Sequence, residues 1–136
     1  MNKAMRTLAS GCVTAVSVSA LLLAAAGPSA AMGKDGILQT DEFGLFYNQY
    51  QSGCVFDLYG EDLNFNNDYF KSGCTGGTSL VNDNTESYWN RDVYAWKVGT
   101  DANLDGNVGE LPSGYSGNAS LTFKNKISSA TFTLHA

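Results

Sequence analysis

Phe46-Tyr47-Asn48-Gln49-Tyr50-Gln51-Ser52-Gly53 is followed downstream by Asn82-Asp83-Asn84-Thr85-Glu86-Ser87. Gly99-Thr100-Asp101-Ala102-Asn103-Leu104-Asp105-Gly106 is followed in turn by Lys124-Asn125-Lys126-Ile127-Ser128-Ser129. Each time a hairpin-like segment closes on Gly and leads to a hexamer that ends in Ser. A repeat inside so short a chain points to two copies of one β unit, each too small to bury a face by itself. Gly53 and Gly106 close the two hairpin-like segments.

The surrounding residues read as strands. Segments 43–48 and 54–59 flank the polar turn 49–53. In 93–98, Tyr94, Trp96 and Val98 share one face, while Ala95 and Lys97 take the other. Leu121 and Phe123 alternate with Thr122 and Lys124, and Ala130, Phe132 and Leu134 alternate with Thr131 and Thr133. Period-two patterning marks strands with one buried face. Gly, Asn, Asp and Ser fill the connections. Beyond residue 31 no segment sustains a 3.6-residue apolar stripe; 79–90 would hold at most a short helical turn. The expected architecture is an all-β two-sheet sandwich.

The first thirty-one residues read differently. Lys3 and Arg6 precede an apolar, small-residue run to Ala26, which Gly27-Pro28 breaks before Ser29-Ala30-Ala31. This is the layout of a secretory signal, with cleavage expected after Ala31 and no membrane segment remaining. Cleavage leaves 105 of the 136 residues, enough for one domain. Residues 32–42 read as a loose amino-terminal tail and 43–136 as the domain. Loss of Lys3 and Arg6 leaves six of the eight basic side chains against thirteen acidic ones, a formal balance of −7. That balance argues against nucleic acid and anionic membrane surfaces as partners. A monomer is expected.

Cys12 leaves with the signal, so Cys54 and Cys74 remain for an oxidising compartment, and one disulfide between them is expected. Two Cys and the single His, His135, cannot complete a tetrahedral zinc site.

The paired motifs resemble peptidase inhibitor family I36, small secreted bacterial proteins of βγ-crystallin fold. The likeness runs from about Gly44 to the carboxyl terminus. It rests on Leu45-Phe46-Tyr47-Asn48 with Gly53, Asn82-Asp83-Asn84-Thr85 with Ser87-Tyr88-Trp89-Asn90-Arg91, Thr100-Asp101-Ala102-Asn103 with Gly106, and Lys124-Asn125 with Ser128-Ser129. The resemblance implies two Greek-key motifs in a βγ-crystallin-like sandwich. It also implies a non-enzymatic role, the blocking of an extracellular peptidase, with metallopeptidases the class linked to the family. Gly99 and Leu104 depart from the pattern, standing where aromatics are expected. The inhibitory loop is not assigned; Cys54-Val55-Phe56 is an apolar run beside a cysteine, but reads first as a core strand.

In βγ-crystallin domains that bind calcium, the hexamer carries two Asn/Asp residues, two free positions, Ser/Thr and Ser. The candidate metal-ligating residues here are therefore Asn82, Asp83 and Ser87 in one copy, and Asn125, Ser128 and Ser129 in the other. Hard cations take six to eight such oxygens. Glu86 stands at the fifth place of the first hexamer and Lys124 at the first place of the second. A lysine ammonium has no lone pair to offer. The expectation is metal-free corners braced by Asx and Ser side chains; the competing outcome is that Glu86 and Lys124 pair and take the place of one calcium. Asp101-x-Asn103-x-Asp105-Gly106 imitates half of an EF-hand loop, but Pro112 stands where its last carboxylate belongs, so a turn is expected. Without a second His a Ser-His-Asp arrangement would hang on penultimate His135, and the acidic pairs Asp41-Glu42 and Glu61-Asp62 read as solvated charge. Catalysis is not expected. An extracellular binding or structural module, calcium-stabilised or not and without a protease target, is the alternative to inhibition.

Overall fold

The computed structural model describes residues 32–134; the expected signal segment 1–31 and His135 lie outside them. Strands β1 (Phe43–Asn48), β2 (Ser52–Leu58), β3 (Ser87–Asn90), β4 (Ala95–Gly99), β5 (Val108–Leu111), β6 (Ser116–Asn118) and β7 (Ser129–Thr133) form two sheets. One sheet has the order β2-β1-β3-β6 and the other β5-β4-β7. All the ladders are antiparallel. The connectivity is that of two interlocked Greek keys. β6 lies in sequence with the second motif but pairs with β3 of the first. In exchange, Asp62 of the first motif bridges Ala130 of the second. The four-stranded sheet thus includes a strand from the second motif, while the first motif pairs with the three-stranded sheet through that bridge.

Alternation explains the core. Phe43 and Leu45 of β1, Cys54, Phe56 and Leu58 of β2, and Trp96 and Val98 of β4 are buried with Ile127 and Ala130. Phe43 stacks on Trp96 across the two sheets, with centroids 4.9 Å apart and planes at 14°. Phe56 meets Phe65 edge-on at 5.1 Å. The run Cys54-Val55-Phe56 is thus core strand, with Cys54 bonded to Cys74 over a Cα–Cα distance of 5.2 Å.

Three expectations are corrected. Residues 79–90 hold no helical turn; 81–86 are loop and 87–90 are β3, with Thr85 and Ser87 drawn inward by the hexamer contacts described below. Residues 121–124 form turns rather than a strand, with Leu121 85% exposed and Phe123 folded against the backbone of Gly109. The third concerns residues 32–42, which are fastened rather than loose. Buried Asp57 accepts the backbone N–H groups of Asp35 (3.1 Å) and Gly36 (2.7 Å). Glu42, also fully buried, accepts Gln39 N–H at 2.7 Å. Lys34 Nζ reaches Asp62 at 2.5 Å and Asp68 at 3.0 Å. The Lys34 backbone N–H bonds Asp57 O at the outer edge of β2, so the segment covers an otherwise open sheet edge. Of the acidic pairs expected to be solvated, Glu42 and Asp62 therefore serve as anchors instead.

These anchors set a pH dependence. Burial raises the Glu42 and Asp57 carboxyls above their ordinary values, and Glu42 Oε1 has no hydrogen-bond partner. Burial and the hydrogen bond with Asp62 raise Asp68. Burial also opposes the charge on Asp62, but its hydrogen bonds with Asp68 and Lys34 prevail and lower its pKa. A carboxyl whose pKa rises on folding binds its proton more tightly when folded, so its contribution to stability grows as pH falls and is lost as pH rises. Asp62 has the opposite sign, but its loss comes only below the ordinary carboxylate range of about 4. The melting temperature is therefore expected to rise as pH falls from neutral towards the ordinary carboxylate range of about 4, and calorimetry across a buffer series measures it. A continuous fall over that interval would contradict the assignment of these anchors.

Candidate functional site

The two hexamers meet face to face. Asp83 and Asn125, the second residue of each, both take left-handed backbone, with φ of 62° and 55°. Asx residues tolerate this region better than most side chains do. The turn it makes lets the backbones pair reciprocally: Asp83 N–H donates to Ile127 O at 3.1 Å and Asn125 N–H to Thr85 O at 2.8 Å. The side chains then cross. Ser128 Oγ donates to Asp83 Oδ1 at 3.1 Å, while Asn125 Nδ2 donates to Glu86 Oε2 at 2.9 Å. Each second residue faces the fifth residue of the other copy, giving a local two-fold relation.

The sixth residues tie each hexamer to its own hairpin. Ser87 Oγ donates to Asn48 O (2.6 Å) and accepts Gln51 N–H (2.9 Å). Ser129 Oγ donates to Asp101 O (2.6 Å) and accepts Leu104 N–H (2.9 Å). Gln51 and Leu104 have φ of 52° and 57°, and the hairpin glycines Gly53 and Gly106 have φ of 77° and 75°. A Cβ at Gly53 would crowd Thr75 O, and one at Gly106 would strike Thr100 Oγ1. The two hairpins therefore fold over in the same way, although Gly99 and Leu104 replace aromatics in the second. Closeness takes the place of bulk there, since a Cβ on Gly99 would lie 2.7 Å from Leu104 Cα. The EF-hand-like string forms the tip of this β4–β5 hairpin, flanked by strands.

The two sides of the pair differ chemically. On one side Ser128 Oγ lies 3.1 Å from Asp83 Oδ1 and 3.0 Å from the carbonyl of Thr100, an oxygen set of the kind hard cations take. On the other, the Glu86 carboxylate lies 3.8 Å from Lys124 Nζ and accepts the Asn125 amide. That side holds its own cation and does not fit a metal. Ser87 and Ser129 are buried in structural bonds, and half-buried Asn82 adds no bond to this network among the described residues. Among the described residues no group of three or more His, Cys, Asp or Glu side chains gathers to hold a metal. The Thr100 carbonyl was not anticipated from sequence, because a backbone oxygen carries no residue signature.

A second exposed feature lies beside the disulfide. Residues 71–75 are all exposed, yet the loop is tightly tied. Cys74 is bonded to Cys54, Cys54 N–H donates to Thr75 O at 2.9 Å, Gly77 N–H to Cys74 O at 2.9 Å, and Thr78 N–H to Phe70 O at 3.0 Å.

No family model matches the chain, and no curated protein matches it. Among solved structures, a domain studied for the evolution of the eye-lens βγ-crystallin domain fold superposes with a TM-score of 0.55 at 17% identity. The match covers 81% of this chain and 96% of that one. The crossed-over strand β6, the folded hairpins and the paired hexamers thus compose a βγ-crystallin fold.

Proposed function

We propose that this is a secreted, non-enzymatic, peptidase-inhibitor-like protein that blocks an extracellular peptidase, in keeping with the resemblance to family I36. The observation that carries this reading is the combination of exposure and restraint in loop 71–75. A segment already held in one shape loses little conformational entropy on entering a protease cleft. The Cys54–Cys74 bridge is compatible with an oxidising compartment, where extracellular peptidases act. The test is a panel of purified extracellular metallo- and serine peptidases mixed with increasing amounts of the domain. Inhibition gives activity that falls to zero near equimolar protein for at least one enzyme; full activity across the panel at a large excess of domain refutes it.

A second reading, a calcium-stabilised extracellular binding module, is favoured by the oxygen set around Ser128. Asp83, Ser128 and the Thr100 carbonyl would hold the ion, and the ion would bind the second hexamer to the tip of its hairpin. One weak calcium site is expected by calorimetric titration, lost in Asp83→Ala. The double change Glu86→Ser with Lys124→Asn is expected to add a second site, since it removes the internal cation and restores oxygen donors. A raised melting temperature in calcium accompanies either, because a ligand of the native state stabilises by mass action. Unchanged stoichiometry in the double variant would show that the Glu86–Lys124 pair is not what closes that side.

A further inference from the structure

At the end of the sandwich opposite the hexamers, the two sheets part around an open cavity of about 410 Å³. Its lining comes from the starts of β1 and β4 and the ends of β2, β3 and β7. Tyr59, Tyr94 and Phe132 supply aromatic surface, while Asp41 and Asp92 supply charge. Tyr94 and Phe132 lie 5.7 Å apart with planes tilted by 32°, and Phe132 continues onto Trp96 at 5.7 Å. Tyr59 is 58% exposed, so its ring stands free at the rim.

Asp92 is the informative residue. It is 6% exposed, and its carboxylate accepts Val93 N–H at 2.7 Å and Trp96 Nε1–H at 2.8 Å. Both donors are neutral. Among the described residues no basic side chain pairs with Asp92 or with Asp41, the ion pairs being those of Lys34 and Lys124. Arg91, next in sequence, spends its guanidinium on Leu38 O, Thr40 Oγ1 and the Trp89 ring. A buried carboxylate is costly unless a cation compensates it. Here its hydrogen bonds are supplied, and among the described residues its counter-charge is not.

We infer that this cavity is a binding site for a small quaternary ammonium ion. Such an ion brings positive charge without N–H donors, which matches a carboxylate whose hydrogen bonds are already made. Its methyl groups pack against aromatic faces, where the ring quadrupole attracts a cation. The acidic balance of the chain raises the local concentration of cations further. The inference is independent of the peptidase and calcium readings.

The probe is choline chloride added to the full exported chain at constant ionic strength, read by the indole N–H signals in nitrogen-15 NMR. The chain has 2 Trp residues, so Trp96, bonded to Asp92, reports the site and Trp89 serves as the internal control. Choline is expected to shift the Trp96 signal saturably and leave Trp89 in place, with ethanolamine binding about threefold more weakly and the neutral isostere 3,3-dimethylbutan-1-ol causing no shift. Tyr59→Ala and Asp41→Asn change exposed residues, and Asn suits the left-handed backbone of Asp41 (φ 71°), so both variants should fold. Each is expected to weaken choline by about threefold. An unmoved Trp96 signal at saturating choline overturns the inference. So does equal binding of ethanolamine, of the neutral alcohol or of N-acetylglucosamine, or unchanged affinity in both folded variants.

Discussion

Trp96→Ala is expected to destabilise the domain by about 4 kcal/mol. The indole is fully buried, stacks on Phe43 of the other sheet, packs on Phe132, and donates its N–H to Asp92. Its removal opens a cavity between the sheets and leaves one oxygen of a buried carboxylate without its donor. Domains of this size have only about 5–15 kcal/mol in total, so the variant should be partly unfolded at room temperature. Trp89→Ala is the comparison. That ring is 40% exposed and rests against Arg91, so its loss should cost about 1 kcal/mol or less. Urea titrations of the two variants measure the difference. Equal midpoints would mean that the Phe43–Trp96 stack does not join the sheets.

The double replacement of Cys54 and Cys74 by Ser has the next largest expected effect, a loss of about 3 kcal/mol. The bridge closes a loop with a sequence separation of 20, and the reduced chain recovers that loop's freedom when unfolded. The position of the bridge adds a local consequence. Cys54 is buried in β2, Cys74 is exposed, and Cys54 N–H holds Thr75 O, so the bridge is the covalent anchor of loop 71–75. A fall in melting temperature of about 15 °C is expected, along with preferential proteolytic nicking between residues 71 and 78. If loop 71–75 is the inhibitory segment, the same variant loses inhibition at temperatures where it remains folded. An unchanged melting temperature would show that the hydrogen bonds from Cys54, Gly77 and Thr78 hold the loop without the sulfur atoms.

The legible parts of this sequence were those where one residue type has one physical use. Gly53 and Gly106 ended the two hairpin-like segments and take positive φ, segments 43–48 and 54–59 marked the first hairpin, and Lys124, with no lone pair for a metal, stood in one of two weighed outcomes as the partner of Glu86, which it meets at 3.8 Å. Reading failed where a residue type has several uses. Glu42 and Asp62 look like surface charge in an acidic chain, yet with Asp57 they hold residues 32–42 through backbone amides and Lys34. Leu121-Thr122-Phe123-Lys124 alternates as a strand does, but no partner ladder reaches it, and the backbone turns so that Phe123 covers Gly109. The cavity of Tyr59, Tyr94, Asp92 and Phe132 carries no local signal, because its walls come from five strand ends that only the crossing of two sheets brings together.

Strand β6, the Asp62–Ala130 bridge and the reciprocal hexamers make the two motifs a single cooperative unit. Native-state hydrogen exchange tests it most directly, through the amides of Asp83 and Asn125, which bond across the motif boundary to Ile127 O and Thr85 O. Both should exchange only by global unfolding, with the free energy and denaturant dependence of core amides in β1 and β4. Opening of β4, β5 and β7 together with Asn125 at lower free energy, while β1, β2 and β3 stay protected, would contradict it.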